Sequence, residues 1–393
     1  MKKLFICLSI MSQLGCKTLD ANRQEGSIIK EFDQSSVDQV QKIENDKVRE
    51  LWAAHIEYET KTMNTSGRDV QPDCKPRFYP ASSSVERQGI VMFFHGFTAC
   101  PQQYFVIAAQ LASRGYDVFL PLMPGQGRSP NGAKDHLTDL PLKRTVDKFM
   151  KHPRLIEFVE KMNEIASAST GVKVVAGLSG GGGLATGAAV EGQGETKNIW
   201  DRVLLYAPYY QNNGAAKTLA DVVAMFSPGT SSDWGDSCRA NRSRPNGRNG
   251  YCSVPAGGSQ AMAHYGEEVA LSADKIKIPV QIVGVEKDPT ADNRSIKRAF
   301  DRMDNASFCF YPLGVPHSII APNRDLLPDT AEYETIRDLK TPSGPPYEWV
   351  PSMEEDTIRF ITEGLWFPVE GITVIESAYG IEIPMCRPSK LTR

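Results

Sequence analysis

Short, continuous apolar runs alternate with segments of helical periodicity through the middle of the chain. Two of these runs, GIVMFF at 89–94 and YDVFL at 116–120, are typical of strands that are buried on both faces. The other strand candidates are 172–176, 203–207, 280–285 and 307–311. The clearest helical segments are 103–114 and 154–168. This alternation predicts an α/β fold whose mostly parallel central sheet is covered by helices on both faces.

Weaker patterns lie toward the two ends of the chain. Apolar residues near helical spacing predict a helix over 36–58, with Ser36 and Gln39 as a capping box at its start. The segment 64–84, which contains several prolines, predicts a loop with edge strands at most. A last sheet-covering helix is predicted at 353–364. The β-branched run 372–375 predicts one extra strand.

Composition narrows the class of protein. The 393 residues are 41% hydrophobic and 23% charged, which is typical of a folded globular protein. Because 44 lysines and arginines are balanced by 47 acidic residues, the chain lacks the basic field of a nucleic-acid-binding protein. The mean hydropathy is -0.33. No apolar run approaches about 20 residues, so a polytopic membrane protein is excluded.

Residues 1–16 have the pattern of a bacterial export signal. Two lysines precede an apolar run over 4–11 that is too short to span a bilayer. The sequence LGC at 14–16 resembles a lipobox, at which Cys16 would be lipidated, although Gln13 replaces the usual aliphatic residue. We therefore expect an exported, periplasmic or cell-surface lipoprotein that a lipid anchor holds at the membrane. Plain secretion and a cytosolic location are the alternatives.

The cysteine content is consistent with export. Of eight cysteines, one lies in the export signal and Cys16 would carry the lipid. An even remainder in an oxidising compartment favours disulfides. We predict the pairs Cys238–Cys252, Cys309–Cys386 and Cys74–Cys100, with free buried thiols as the alternative. The cysteine spacing does not indicate a zinc site, and no metal is expected.

A nucleophile turn is predicted directly after the strand 172–176. Gly177-Leu178-Ser179-Gly180-Gly181 has the pattern G-x-S-x-G, and a helical stretch of small residues follows it. The serine of such a turn sits on a strained backbone, and side chains at the flanking glycines would collide with the neighbouring strand and helix. The pattern predicts Ser179 as a nucleophile at the N-terminus of a helix.

A second turn is predicted after the strand 89–94, where the sequence is His95-Gly96-Phe97-Thr98. A strand that ends in His-Gly is typical of a loop that supplies one amide of an oxyanion hole. The hole would combine the backbone N–H groups of Phe97 and Gly180. We interpret His95 as a structural residue, and the alternative is an ordinary loop with a core histidine.

The predicted acid and base follow two later strands. Asp288 comes just past the strand 280–285 and would orient a histidine, with Asp292 and Glu286 as alternatives; Asp292 could instead cap a helix. His317 is the only histidine that follows this acid in the chain. The order Ser179, Asp288, His317 is that of α/β-hydrolases. His264 is kept as a reserve candidate because it could line the pocket.

These motifs together resemble the α/β-hydrolases of the serine-esterase, lysophospholipase and monoacylglycerol-lipase-like group. HGFTACPQQY is similar to the oxyanion turn of that group and MPGQGRS to its loop after the next strand, although Gln126 stands where the group usually has a histidine. The resemblance implies acyl transfer through an acyl-enzyme, without a cofactor. It also implies a hydrolase core at 85–207 and 266–365, with a cap or lid at 208–265. The resemblance does not cover the N-terminal tether, helix and loop expected at 17–84 or the extension at 366–393.

The substrate is expected to be a small ester or lipid. Tyr209 and Tyr210 open the predicted cap and are candidate pocket residues. Four arginines could form a cationic lid edge that favours anionic head groups, or simply a solvated loop; they are Arg239, Arg242, Arg244 and Arg248. A serine amidase or aminopeptidase and a non-catalytic envelope protein are the alternatives. The candidate acidic anchors for a substrate amine are Asp221, Asp233 and Asp236.

Overall fold

The structure is a computed structural model of the whole chain. It describes residues 39–62, 70–71, 74–127, 153–193, 198–211, 231–233, 253–288, 290–311, 315, 317, 349–376 and 381–386. Among these residues, no helix has the length and apolar character needed to cross a membrane.

A nine-stranded, mostly parallel sheet organises the described residues. The strands in chain order are β1 (Arg77–Tyr79), β2 (Gly89–Phe94), β3 (Tyr116–Leu120), β4 (Val172–Leu178), β5 (Arg202–Tyr206), β6 (Ser231–Asp233), β7 (Ser253–Pro255), β8 (Val280–Val285), β9 (Ala306–Tyr311), β10 (Val369–Glu376) and β11 (Ile381–Cys386). The order across the sheet is β1-β3-β2-β4-β5-β8-β9-β11-β10, and only the pairs β1–β3 and β10–β11 are antiparallel. Strands β6 and β7 form a separate antiparallel pair.

Helices cover both faces of this sheet. They are α1 (Asp46–Glu57), α2 (Phe105–Ala112), α3 (Pro153–Ala168), α4 (Gly180–Glu191), α5 (Ala256–Leu271), α6 (Asn293–Phe300) and α7 (Trp349–Glu363). On β2, Ile90 and Met92 face a core that α1, α3, α4, α5 and α6 complete, while Val91 and Phe93 face a core with α2 and α7. Side chains of successive strand residues point to opposite faces, so a continuous apolar run buries both faces. The predicted α/β-hydrolase fold is confirmed.

The helix predicted over 36–58 is interrupted between Val40 and Asp46. The helix α1 begins at Asp46, where the Asn45 side chain accepts the Val48 N–H at 3.1 Å. The predicted cap residue Ser36 lies outside the described residues, whereas Gln39 is buried and its Oε1 accepts the Phe78 N–H at 3.3 Å. Asparagine is a good N-cap and starts α1. Gln39 and Val40 are helical themselves and precede the turn before α1, so the predicted capping box at Ser36 stays a prediction.

The helix α5 crosses the predicted end of the cap. The expected boundary between residues 265 and 266 falls inside this single helix, and the helix packs against α4. Met262 and Tyr265 belong to the same hydrophobic core as Leu184 of α4. Of the insertion 208–265, the structure describes 208–211, 231–233 and 253–265. Its function as a cap or lid stays a prediction.

Two disulfides link segments that are distant in sequence within the described part of the chain. Cys74 is bonded to Cys100 and Cys309 to Cys386, as predicted. The second bond ties β11 to β9, which β11 joins as a parallel neighbour. One extra strand was expected near 372–375; the structure has two, because β11 pairs with both β9 and β10. Cys238, Cys252 and Cys16 lie outside the described residues, and export and lipidation stay predictions.

A buried histidine makes the packing of α1 sensitive to pH. His55 is 2% exposed, stacks on Trp52 with ring centroids 5.3 Å apart, and its Nε2 has no hydrogen-bond partner among the described residues. Burial, with a smaller contribution from Lys161, lowers the pKa of His55 from 6.5 to about 3. The unfolded chain therefore binds a proton below pH 6.5 that the folded protein does not accept.

We expect this histidine to destabilise the protein in mild acid. Above pH 6.5 the imidazole is neutral in the folded and unfolded states and does not lower the free energy of unfolding. As the pH falls from there toward the folded-state pKa, the free energy of unfolding decreases by about 1.4 kcal/mol per pH unit. His55→Leu should reduce by about 2 kcal/mol the stability lost between pH 6.5 and pH 5. Urea unfolding of the wild type and the variant at both pH values measures this difference. Equal losses in the two proteins would contradict the prediction.

Candidate active site

The predicted nucleophile lies on a strained turn between β4 and α4. Ser179 has φ 56° and ψ -122°, a conformation that L-residues rarely adopt. Backbone hydrogen bonds on both sides hold it: the Ser179 N–H donates to the Tyr206 carbonyl at 2.9 Å, and the Ser179 carbonyl accepts the Tyr209 N–H at 2.9 Å. The side chain is 8% exposed. The surrounding backbone thus fixes the conformation that the turn requires.

The glycines on either side of Ser179 are required by close contacts with backbone. A Cβ on Gly177 would lie 2.1 Å from the Gly181 carbonyl oxygen, and a Cβ on Gly181 would lie 2.1 Å from that of Phe94. Neither oxygen belongs to a flexible side chain, so any larger residue would displace the turn. The outer glycines of the G-x-S-x-G pattern are therefore explained by packing.

His317 bridges Ser179 and Asp288. The Ser179 Oγ donates to His317 Nε2 at 2.8 Å, and His317 Nδ1 donates to Asp288 Oδ2 at 2.7 Å. The directions follow from chemistry, since a carboxylate can only accept and thereby keeps the imidazole proton on Nδ1. The free lone pair of Nε2 then faces the serine hydroxyl. This arrangement can remove a proton from Ser179 as its oxygen attacks a carbonyl carbon.

The carboxylate of Asp288 is buried and held by backbone amides. Asp288 is 1% exposed, and its Oδ1 accepts the N–H groups of Thr290 at 2.7 Å and Ala291 at 2.9 Å. The alternative acid Asp292 caps the helix α6 instead, because its side chain accepts the Arg294 N–H. Glu286 lies in the turn after β8. Of the three candidates, the described contacts join only Asp288 to His317.

The two predicted oxyanion amides lie side by side. A Cβ on Gly180 would be 3.5 Å from the Phe97 nitrogen. Neither the Phe97 N–H nor the Gly180 N–H has a hydrogen-bond partner among the described residues. Gly180 opens α4, and the first amides of a helix have no partner within the helix and carry its positive dipole end. The pair can therefore donate to an oxygen that gains negative charge beside Ser179.

His95 is a structural residue of the oxyanion loop. It is fully buried, its Nδ1 donates to the Gly96 carbonyl at 2.9 Å, and its Nε2 accepts the Met123 N–H at 3.0 Å. Burial lowers the pKa of His95 to about 4, so the ring is neutral at physiological pH. The structural interpretation of His95 is supported, because both ring nitrogens are bound to backbone groups.

The candidate pocket tyrosines contact the nucleophile helix. Besides the Tyr209 N–H bond to Ser179, the Tyr210 hydroxyl is 2.8 Å from the Thr186 Oγ1 on α4, and the Tyr210 ring is 1% exposed. Their role in a substrate pocket stays a prediction. Sequence reasoning missed Met262, whose methyl carbon would lie 2.9 Å from a Cβ on Gly180.

Several predicted site features lie outside the described residues. They are the four arginines 239, 242, 244 and 248 and the acidic candidates Asp221 and Asp236. Asp233 is in β6, and His264 is in α5 without a described hydrogen bond to the triad candidates. Within the part of the chain that the structure describes, no cluster of His, Cys, Asp and Glu has the geometry of a metal site.

Comparison with known proteins agrees with this fold. A search among curated protein sequences finds no match. A solved monoglyceride lipase from Saccharomyces cerevisiae, in complex with a substrate analog, is 19% identical; the alignment covers 76% of this chain and 92% of that one, with a TM-score of 0.51. A monoacylglycerol lipase from Paleococcus ferrophilus is 14% identical, with coverage of 74% and 98% and a TM-score of 0.47. The yeast structure shares the α/β-hydrolase fold.

The family assignment comes from the sequence itself. The family described as serine aminopeptidase, S33, matches residues 85–321, which is more than half of the chain. This range contains the G-x-S-x-G turn, the His-Gly turn, and both Asp288 and His317. The chain therefore belongs to the serine aminopeptidase S33 family, a family of serine hydrolases with the α/β-hydrolase fold.

Proposed function

We propose that the protein hydrolyses carboxylic esters through an acyl-enzyme on Ser179. The observation that carries the proposal is the hydrogen-bonded series from Ser179 through His317 to Asp288, with distances of 2.8 and 2.7 Å. In this mechanism the Ser179 Oγ attacks the ester carbonyl and His317 Nε2 takes its proton. Asp288 holds the Nδ1–H and stabilises the imidazolium.

The remaining steps use the same groups. The carbonyl oxygen becomes an oxyanion that accepts the N–H groups of Phe97 and Gly180. When the tetrahedral intermediate collapses, its C–O bond to the alcohol breaks and His317 gives the proton to the departing oxygen. A water molecule then loses a proton to His317 and attacks the acyl carbon. Breakage of the bond to Ser179 Oγ, with return of the proton, releases the carboxylic acid and restores the enzyme.

Apolar side chains beside the reaction centre favour an ester with an apolar acyl group. The Phe97 Cβ and the Met262 methyl carbon both lie next to Gly180. An aminopeptidase would need an acidic side chain there for the substrate amine. The Asp288 carboxylate is already bound by His317 and two backbone amides and is therefore not available to a substrate amine. The family name supports cleavage of an aminoacyl amide as the second candidate.

A substrate panel separates these candidates. We expect the protein to hydrolyse p-nitrophenyl esters with a kcat/KM at least about 100-fold above that for aminoacyl p-nitroanilides, because the apolar walls bind an acyl chain and leave a charged amine unpaired. Labelling of Ser179 by a fluorophosphonate tests the nucleophile without reference to substrate. Higher kcat/KM on the anilides would replace the ester proposal by the aminopeptidase. A chain that is neither labelled nor active would be a binding protein.

A further inference from the structure

A buried glutamine supports the turn that carries the Phe97 amide. Gln126 is 1% exposed, and its Oε1 accepts the Thr98 N–H at 2.9 Å. Thr98 has φ 69°, in the left-handed region that a β-branched residue adopts only at an energetic cost. Such a conformation persists when neighbouring groups enforce it. The Gln126 oxygen is a neighbour that binds the strained residue directly.

The amides on either side of Phe97 are both taken by glutamine oxygens. The Gly96 N–H donates to Gln103 Oε1 at 2.8 Å, and the Thr98 N–H donates to Gln126 Oε1. The Phe97 N–H between them is left without a partner among the described residues. The two glutamines therefore fix the peptide planes around the one amide that remains available to an oxyanion.

The support behind Gln126 is itself rigid. Gln126 sits between Gly125 and Gly127, with φ values of 72° and 75°. The Gly127 carbonyl accepts the Gln71 N–H at 2.8 Å, and a Cβ on Gly127 would lie 2.7 Å from the Cys74 Cβ. Cys74 is bonded to Cys100, just beyond the oxyanion turn. The segment 71–74, which contacts Gly127 next to Gln126, is thus covalently joined to the end of the loop that Gln126 binds.

The other end of the Gln126 amide shows that the acceptor oxygen matters. Its Nε2 is buried and has no hydrogen-bond partner within the described part of the chain. A buried amide N–H without a partner is unfavourable, and an apolar side chain of the same length would avoid the cost. The residue is therefore explained by what its oxygen binds rather than by packing alone.

We propose that Gln126 is a positioning residue of the oxyanion hole: by accepting the Thr98 N–H, it holds the Phe97 amide toward the reaction centre. The inference rests on the proposed acyl-transfer function. Because Gln126 acts through Thr98 and Phe97, its loss should affect the transition state, where the oxyanion forms, more than the binding of the ester.

The test compares Gln126→Met with Gln281→Met in the full chain. Gln281, near the start of β8, is a matched control. It is fully buried, and its Oε1 accepts the Phe367 N–H at 3.0 Å. For Gln126→Met we expect kcat on a p-nitrophenyl ester to fall by about 10- to 100-fold, with KM changed less than about 2-fold. The rate of fluorophosphonate labelling should fall by a similar factor. Gln281→Met should lose thermal stability and keep its kcat.

Two further variants keep the test decisive. Gln126→Glu retains an oxygen at the same position, and burial favours the neutral form of a carboxyl group, so kcat should return to within about 3-fold of the wild type near pH 7. Gln126→Asn shortens the side chain by one methylene group, so its oxygen no longer reaches the Thr98 N–H. Its kcat should fall as much as that of Gln126→Met. This variant provides the test if the methionine variant does not fold. An unchanged kcat in Gln126→Met or Gln126→Asn would overturn the inference, as would an equal loss in Gln281→Met. A wild type without activity or labelling would instead overturn the proposed function, and this inference with it.

Discussion

Ser179→Ala is expected to lower kcat for ester hydrolysis by about 10⁴-fold or more. The variant lacks the oxygen that would form the acyl-enzyme, while His317 and the two oxyanion amides remain. Removing one member of such a unit costs nearly as much as removing all of it. Fluorophosphonate labelling should also disappear, because the bond that the reagent makes is to the Ser179 oxygen. Both losses can be measured on the same purified protein.

The folded state should tolerate this change well. Alanine keeps the Cβ at the strained position, so the φ of 56° costs the two residues a similar amount. Ser169→Ala is a suitable control, because Ser169 is also a buried serine, and its hydroxyl donates to the Ile165 carbonyl at 2.8 Å just before β4. The control should keep the wild-type kcat. A Ser179→Ala protein with more than about 1% of the wild-type kcat would exclude the acyl-enzyme mechanism.

The candidate triad could be predicted from sequence because each of its members follows a strand. Ser179, Asp288 and His317 come after the predicted strands that became β4, β8 and β9. The ends of parallel strands meet at one edge of the sheet, where ligands bind in open α/β folds. Strand recognition and chain order therefore bring Ser179 and His317 to the same edge and leave Asp288, Asp292 and Glu286 as candidate acids. The contact between Asp288 and His317 decides among these acids. The order also favours His317 over the histidines that precede Asp288.

Contacts between residues that are distant in sequence and do not follow strand ends could not be predicted in this way. The Gln126 oxygen accepts the Thr98 N–H because the fold brings together two loops whose contacting residues are 28 positions apart in the sequence. The strand β11 contains Pro384 and lacks an alternating pattern, so its own residues do not indicate a strand. Pairing with both β10 and β9, together with the bond from Cys386 to Cys309, holds it in the sheet. These are tertiary contacts, and local sequence preferences do not encode them.

Asp288→Asn is expected to lower kcat by roughly 10⁴-fold even though the side chain keeps its size. The Oδ1 position accepts two backbone N–H groups, from Thr290 and Ala291. An asparagine must turn its oxygen toward these donors, which directs its NH₂ group at His317. The imidazole Nδ1 then has to accept a hydrogen bond, and its proton moves to Nε2. In that tautomer Nε2 can no longer accept the proton of Ser179.

The neighbouring acid provides the control for this experiment. Asp292→Asn removes a carboxylate four residues further along the chain and keeps a good N-cap for α6, since asparagine caps helices as well as aspartate. We expect its kcat to stay within about 3-fold of the wild type, because the described contacts of the Asp292 side chain are with Arg294 and not with the candidate triad. Steady-state kinetics on the same ester compares the three proteins. If Asp292→Asn lost more activity than Asp288→Asn, the orienting acid would have to be Asp292, and the contact between Asp288 and His317 would be structural only.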